Sequence, residues 1–378
     1  MGRYSLPVLA GLLLCLVGCA DRGTAPLGPA GDRSVLSHAA TPVEGHVLIA
    51  DQFNNRVIEV SAEGRIVWHF GLGPGDVGPT SIIGTNDAQR VGSLTLMAGT
   101  GAPPGTEPLC PNGCADNRVM LVDRDGHIVW QYGTFGVTGA GDNELNTPVQ
   151  DTYLPNGHVL ITDQGNERVI EVEREHNRIV WQYGMTGVIG SGFDQLNNPN
   201  SAELLANGHI LISDENNDRA IEVNRAHRIL ATFTAGGTTS GVAFASRLAN
   251  GHTLITDSNN NRIVEVDATD HVVWQYVTNA APGSNPAPLP TRAVRLRDGT
   301  TLISDQFNHR VIEVNAAGRI VLSFGNLNTP GFGTRSTSQG LNGPYDAKAI
   351  GDFTGLTSPF DRDGIGDEDE DGAVRRSR

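Results

Sequence analysis

Apolar residues along this chain fall into short runs rich in Val, Ile and Leu, separated by polar breaks built from Asn, Asp and Gly. One phrase recurs: Arg56-Val57-Ile58-Glu59-Val60, Arg118-Val119-Met120-Leu121-Val122, Arg168-Val169-Ile170-Glu171-Val172, Arg219-Ala220-Ile221-Glu222-Val223, Arg262-Ile263-Val264-Glu265-Val266 and Arg310-Val311-Ile312-Glu313-Val314. The first and last arginines lie 254 residues apart over five intervals, a mean period of about 51. A repeat of that length is the mark of a solenoid, a propeller or an array.

The clearest copy, from Asp151 to Gly184, reads as β structure throughout. A strand ends at Pro155-Asn156-Gly157, whose Asn-Gly pair suits a tight hairpin. Val159 to Thr162 is a second, β-branched run. After the breaker at Asp163 to Asn166, Arg168 to Val172 forms a third strand and Arg178 to Tyr183 a fourth. Helical spacing is missing from the unit. The pattern predicts an all-β six-bladed β-propeller of four-stranded antiparallel blades, an arrangement that leaves few exposed strand edges.

Closure is expected at the C-terminus. Leu341-Asn342-Gly343-Pro344-Tyr345-Asp346 repeats the lead-in Leu145-Asn146-Thr147-Pro148-Val149-Gln150, and the usual hairpin does not follow it. Asp346 to Ile350 is therefore the expected inner strand of the first blade, whose other strands come from Gly45 to Phe70; Ser34 to Ala39 is the alternative donor. The domain boundaries follow as a leader at 1–18, a Gly/Pro/Ala-rich tether at 19–43, the propeller at 44–358 and an acidic tail at 359–378.

Arg3 precedes an apolar run from Leu6 to Val17, too short for a comfortable span and suited to a signal peptide. Leu16-Val17-Gly18-Cys19 resembles the lipobox of bacterial lipoproteins, which implies lipidation of Cys19. Because Ala20 and not aspartate follows, the resemblance implies the outer membrane, on its periplasmic side or at the cell surface. An ordinary signal peptide is the other reading.

Composition narrows the function classes. Glycine supplies 47 of 378 residues and the net charge is −15, of which the tail beyond Pro359 contributes only −3. The acidic propeller argues against nucleic acid and against docking to anionic lipid, leaving membrane contact to the lipid anchor. Lys348 is the only lysine. In an exported protein Cys110 and Cys114, across a Pro-Asn-Gly turn, are most simply a disulfide, with free thiols the alternative.

Recurrence separates scaffold from site. His46, His158, His209 and His252 share the position after the turn glycine, one per blade, too far apart to converge on one ion. Asp51/Arg56, Asp163/Arg168, Asp214/Arg219, Asp257/Arg262 and Asp305/Arg310 are expected to brace the loop between second and third strands as surface pairs worth about 0–1 kcal/mol each. Blade 2 lacks the aspartate, carrying Gly99 there and a long insertion up to Arg118. Trp68, Trp130, Trp181 and Trp274 recur on fourth strands as packing residues.

Asp-x-x-Asn-x-Arg-[Val/Ile], as in Asp163 to Val169, resembles an NHL repeat. The longer phrase from Leu154-Pro155-Asn156-Gly157-His158 to Trp181-Gln182-Tyr183 is similar to repeats of arylsulfotransferase-like propellers. The resemblance covers Glu44 to Phe360 and implies the fold; such repeats serve enzymes, sensors and scaffolds alike.

Nearly all loop-length variation falls on one face, that of the second-to-third loops and the blade crossings, the pattern of a binding surface for a protein or a small polar ligand. Aligned on the turn glycines, the inner strands place Asn86, Gln150, Asp151, Ser201, Arg292, Tyr345 and Asp346 in the central channel as ligand-binding candidates. No catalytic residue stands out. Arylsulfotransferase-like and amidating-lyase-like propellers use channel histidines, absent from these positions, and the calcium site of lactonase-like propellers is matched only in part by Asn86, Asp151 and Asp346. A binding or scaffold protein is thus the favoured reading and a channel-sited enzyme the alternative. Cofactors are undetermined apart from calcium: Asp361 to Gly372 resembles the calcium loops of thrombospondin type 3 repeats, which implies Asp361, Asp363 and Asp367 as ligands. A solvated acidic tail is the competing reading.

Overall fold

A computed structural model describes residues 45–333 and 337–360. The leader, the tether, Cys19, the alternative donor strand from Ser34 to Ala39 and the Asp361, Asp363 and Asp367 loop lie outside the described residues. Within them, strands form six separate four-stranded antiparallel sheets, and the only helices are single 3-10 turns. No helix among the described residues is long and apolar enough to cross a membrane.

Blade 1 pairs Val47–Asp51, Arg56–Val60 and Ile66–Phe70 with a C-terminal strand, Pro344–Ala349. Ile49 faces Ala347 and Ala50 faces Asp346, so the end of the propeller completes its beginning. The other blades follow the chain, with inner strands Thr85–Val91, Pro148–Tyr153, Pro199–Leu204, Val242–Arg247 and Arg292–Arg295. Each third strand carries a register shift against the fourth just before its last valine. Such a bulge increases local twist, which a radial stack of sheets requires.

The second and third strands are buried on both faces because each blade lies between two neighbours, and apolar cores fill the seams between blades. Across the closing seam, Ile49 and Ile58 of blade 1 pack with Val311 and Phe324 of blade 6 and with Leu341 of the lead-in to the closing strand.

Polar contacts repeat with equal regularity, and they revise one expectation. The loop aspartates are fully buried, and each holds its arginine through Nε at 2.6 to 2.8 Å. These are interior pairs; removing one partner strands a charge, at a cost of about 3–5 kcal/mol. In four blades the second carboxylate oxygen accepts a backbone N–H from the lead-in to the inner strand: Asn146, Asn197, Ser240 or Asn342. Blade 2 reaches the same end differently. Asp116, inside the insertion, accepts from Arg118 Nε at 2.6 Å and from the Ile83 N–H at 2.8 Å. A Cβ on Gly99 would lie 2.3 Å from Asp116 Oδ2, so the glycine leaves room for the substitute.

A second set of bonds latches blade to blade. The residue before each loop arginine is left-handed, with φ between 48° and 57°. Its side chain accepts the N–H of another left-handed residue in the next lead-in: Asn55 from Gly84, Asn117 from Thr147, Glu167 from Asn198, Asp218 from Gly241, Asn261 from Leu289 and His309 from Gly343. His309 is thus part of the seam that closes the ring.

The recurring histidines are structural as well. His46, His158, His209 and His252 bond Glu59, Glu171, Glu222 and Glu265 at 2.7 to 2.8 Å, while an arginine of the following blade takes the other oxygen of each glutamate. The four tryptophans donate their indole N–H to turn carbonyls one blade on. Cys110 and Cys114 are joined in a disulfide, Cα atoms 5.6 Å apart, beside Glu107, which accepts from Asn55 of blade 1.

Candidate functional site

Register along the inner strands stacks the axis in rings. Asp87, Gln150, Ser201, Phe244, Arg292 and Asp346 occupy equivalent positions, facing Ala98, Thr162, Ser213, Thr256, Ser304 and Ala50 of their second strands. The next ring is Ala88, Asp151, Ala202, Ala245, Ala293 and Ala347, five alanines and one aspartate. Below it, Gln89, Thr152, Glu203, Ser246 and Lys348 supply the polar members of a third ring, with Val294 the sixth residue.

Paired charges fill the middle. Arg292 gives Nε to Asp346 at 3.0 Å and Nη2 to Asp87 at 2.8 Å, and its guanidinium stacks on Phe244. Lys348 Nζ lies 2.7 Å from both Asp87 and Asp346 and donates to the Ala88 carbonyl. All four charged groups are buried. Burial pushes the Asp87 carboxyl up, but Lys348 and Arg292 outweigh it and hold the group below the ordinary range. Burial likewise opposes the charge on Lys348, and Asp346 and Asp87 more than restore it. Asp151 is the exception: burial, then the negative charge of Asp87, raises it well above a usual aspartate.

The segment after the closing strand covers one mouth. Past the closing strand, Thr357 donates its N–H and hydroxyl to Glu203 Oε2 at 2.8 and 2.6 Å, and its carbonyl accepts from Gln89 Nε2. Its hydroxyl oxygen also accepts the Leu204 N–H at 2.9 Å. Gln150 completes the contact, bonding the other Glu203 oxygen at 2.9 Å. Burial raises the Glu203 carboxyl despite these donors.

At the opposite mouth, on the face of the variable loops, the groups are neutral amides, a phenol and one acid. Gln306 bonds Gln52, Gln52 bonds Asn86, and Asn200 bridges Tyr345 and Glu215. Burial raises both Glu215 and the Tyr345 phenol.

The channel residues expected from sequence fall on the inner strands, with different surroundings. Arg292 and Asp346 belong to the charge cluster, Gln150 braces Glu203, and Asp151 sits in the alanine ring beside Asp87. Ser201 is turned to Ser213, 2.7 Å away. Asn86 and Tyr345 belong to the mouth. Asp87, Gln89, Glu203, Lys348 and Thr357 were missed. Alignment on the turn glycine misplaced Asp87, because blade 2 joins its first two strands through Gly92 and Ser93 alone, with Val91 paired to Leu94. The chain's single lysine was a signal available in the sequence. Outside the axis, Glu173, Glu175 and His176 on an exposed blade 3 turn bring three possible metal-ligand atoms within 4.8 Å of one another.

Residues 115–346 match the sequence profile of the family described as outer membrane protein assembly factor BamB. The chain belongs to that family. No curated protein matches it. Among solved structures, a protein of unknown function from Bacteroides caccae is 14% identical, covers 74% of this chain and 93% of its own, and superposes with a TM-score of 0.53. At that identity the likeness shows the β-propeller fold alone. A catalytically inactive virginiamycin B lyase from Staphylococcus aureus, crystallised with quinupristin, is 13% identical over 65% of this chain and 71% of its own, with a TM-score of 0.44. The WD40 β-propeller domain of Doa1 is 13% identical over 78% and 87%, with a TM-score of 0.46. Neither bears on what this chain does.

Proposed function

We propose that this chain is an extracytoplasmic, lipid-anchored propeller that binds a protein partner on its variable loop face. One contrast carries the reading. The axis is packed with its own paired charges and closed at one mouth by Thr357. The loop face instead displays large apolar side chains: Leu109 of the disulfide-bonded insertion, Ile189 and Phe193 of the crossing between blades 3 and 4, and Phe332 of the crossing into the closing strand, the phenylalanines 70% and 86% exposed. Exposed aromatic and aliphatic anchors on rigidly based loops are what an interface core is made from. Membership in a family named for an outer-membrane assembly factor supports both a protein partner and the location. The acidic surface favours a partner with basic residues around its apolar contact.

In cells, a photo-crosslinking residue at Phe193 should give discrete protein adducts from the membrane fraction. Ile189→Asp in the same chain should remove them without changing thermal stability, and Cys19→Ala should move the protein to the soluble fraction. An adduct pattern unchanged by Ile189→Asp overturns the docking face.

A further inference from the structure

Asp151 is the one polar residue in a ring of alanines. Ala88, Ala202, Ala245, Ala293 and Ala347 occupy its position in the other blades. Asp151 is 1% exposed, and neither of its carboxylate oxygens has a donor within reach. Asp87 Oδ2 also lacks a donor, although Asp87 Oδ1 receives both Arg292 and Lys348. Two acids from adjacent inner strands thus face one another with three oxygens unsatisfied.

The surrounding charges make this arrangement untenable for two carboxylates. From blade 2 Asp151 meets Asp87, from the closing strand Asp346 and Lys348, with Arg292 of blade 6 and Glu203 of blade 4 completing the cluster. Arg292 and Lys348 are the two cations, and both are paired with Asp87 and Asp346, Arg292 through Nε and Nη2 while its Nη1 has no partner. A further unpaired carboxylate buried there would pay its full desolvation, and a group in that position takes up a proton instead.

We propose that Asp151 is a carboxylic acid in the folded protein at neutral pH, donating its proton to Asp87 Oδ2, and that this shared proton is a pH-sensitive lock on the propeller axis. The O–H satisfies the unpartnered Asp87 oxygen and leaves Asp87 a single negative charge for Arg292 and Lys348. Desolvation and the neighbouring Asp87 charge both raise the Asp151 carboxyl, while Lys348 and Arg292 hold Asp87 low and the bond to Asp151 adds to their effect. Deprotonation places a second charge against Asp87 and Asp346, the residues that bind Lys348 of the closing strand. A group whose folded value is raised contributes stability below its unfolded value, and that stability is lost as pH rises through the folded value. The lock therefore weakens on the alkaline side.

Infrared difference spectra of wild type against Asp151→Asn test this directly. At neutral pH the wild type should show a protonated carboxylic acid C=O band that the variant lacks. Thermal unfolding should show the wild type losing melting temperature toward alkaline pH and Asp151→Asn losing less than half as much, because its neutral amide can donate the same bond. Asp87→Asn, which breaks the Arg292 and Lys348 pairs, should lower the melting temperature at every pH. If Asp151→Asn does not fold, Asp151→Ala, the residue of the other five blades, replaces it in both measurements. A wild type without the acid band, or a variant with the wild-type alkaline profile, overturns the proposal.

Discussion

Pro288 denies Asp305 the backbone donor that its counterparts in four other blades receive. It occupies the lead-in position of Asn146, Asn197, Ser240 and Asn342, and its carbonyl accepts the Phe307 N–H just as theirs accept the matching loop N–H. Proline has no N–H to return, so Asp305 Oδ1 is left without a partner. Burial then dominates, and the Asp305 carboxyl is raised to about 6 despite the Arg310 and Asn308 contacts.

Pro288→Asn should restore the bond. The folded value of Asp305 is raised, so its contribution to stability is present below the unfolded value near 3.8 and lost as pH climbs through about 6. Supplying a donor lowers the folded value and recovers part of that loss. A charge-assisted bond is worth about 1.5–3 kcal/mol, while removing a proline gives back about 0.4–1 kcal/mol of unfolded-state entropy. The expected net change is a gain of about 1 kcal/mol above pH 7 and a loss of about 0.4–1 kcal/mol near pH 4, where only the proline's entropy is given up, read from urea unfolding at both. An equal change at both values would show that Asp305 is not involved.

The repeat made the fold legible because every blade solves the same burial problem with the same residues. Period, strand order and the closing strand could all be read from the Arg-Val-Ile-Glu-Val phrase and its lead-ins. The axis was legible only in part. Glycine-anchored alignment assumes equal turns, and the two-residue Gly92-Ser93 turn moved Asp87 out of register. Thr357 lies beyond the repeat, where no pattern announces that it returns to cap Glu203. The loop aspartates looked like surface pairs because sequence spacing gives proximity but not burial, which comes from the neighbouring blade and the crossing above.

Gly99 and Asp116 show how blade 2 tolerates its insertion, and they should be energetically coupled. Gly99→Asp alone pushes a side chain into the Asp116 carboxylate. Asp116→Ala alone strands the buried Arg118, which also donates to the Pro79 and Ser81 carbonyls, and should cost about 3–5 kcal/mol. The double variant rebuilds the Asp-to-Arg pairing of the other blades, so its loss should fall short of the sum by about 1–3 kcal/mol. Denaturant melts of the four proteins complete the cycle. Additive losses would mean that Asp116 is not the substitute brace.

His309 is the one imidazole among the six interblade latches, and it holds the seam where the ring closes. The Gly343 N–H donates to Nδ1 at 3.1 Å, which requires that nitrogen to be unprotonated and places the ring proton on Nε2. Burial lowers the His309 value, with Asp305 and Arg310, paired to each other, the charged groups of the same loop. A lowered folded value means stability that is present above the unfolded value near 6.5 and lost as pH falls through the folded one. His309→Asn supplies the acceptor used by Asn55, Asn117 and Asn261, and it does not titrate. It should match wild type at pH 8 and exceed it by about 0.5–1.5 kcal/mol near pH 5, whereas His309→Ala should lose about 1–3 kcal/mol at both by leaving the Gly343 N–H unsatisfied. Hydrogen exchange at Gly343 gives a local reading of the same event. Faster exchange on acidification in wild type, absent in His309→Asn, would place the change at this seam; equal exchange in both would remove His309 from the acid response.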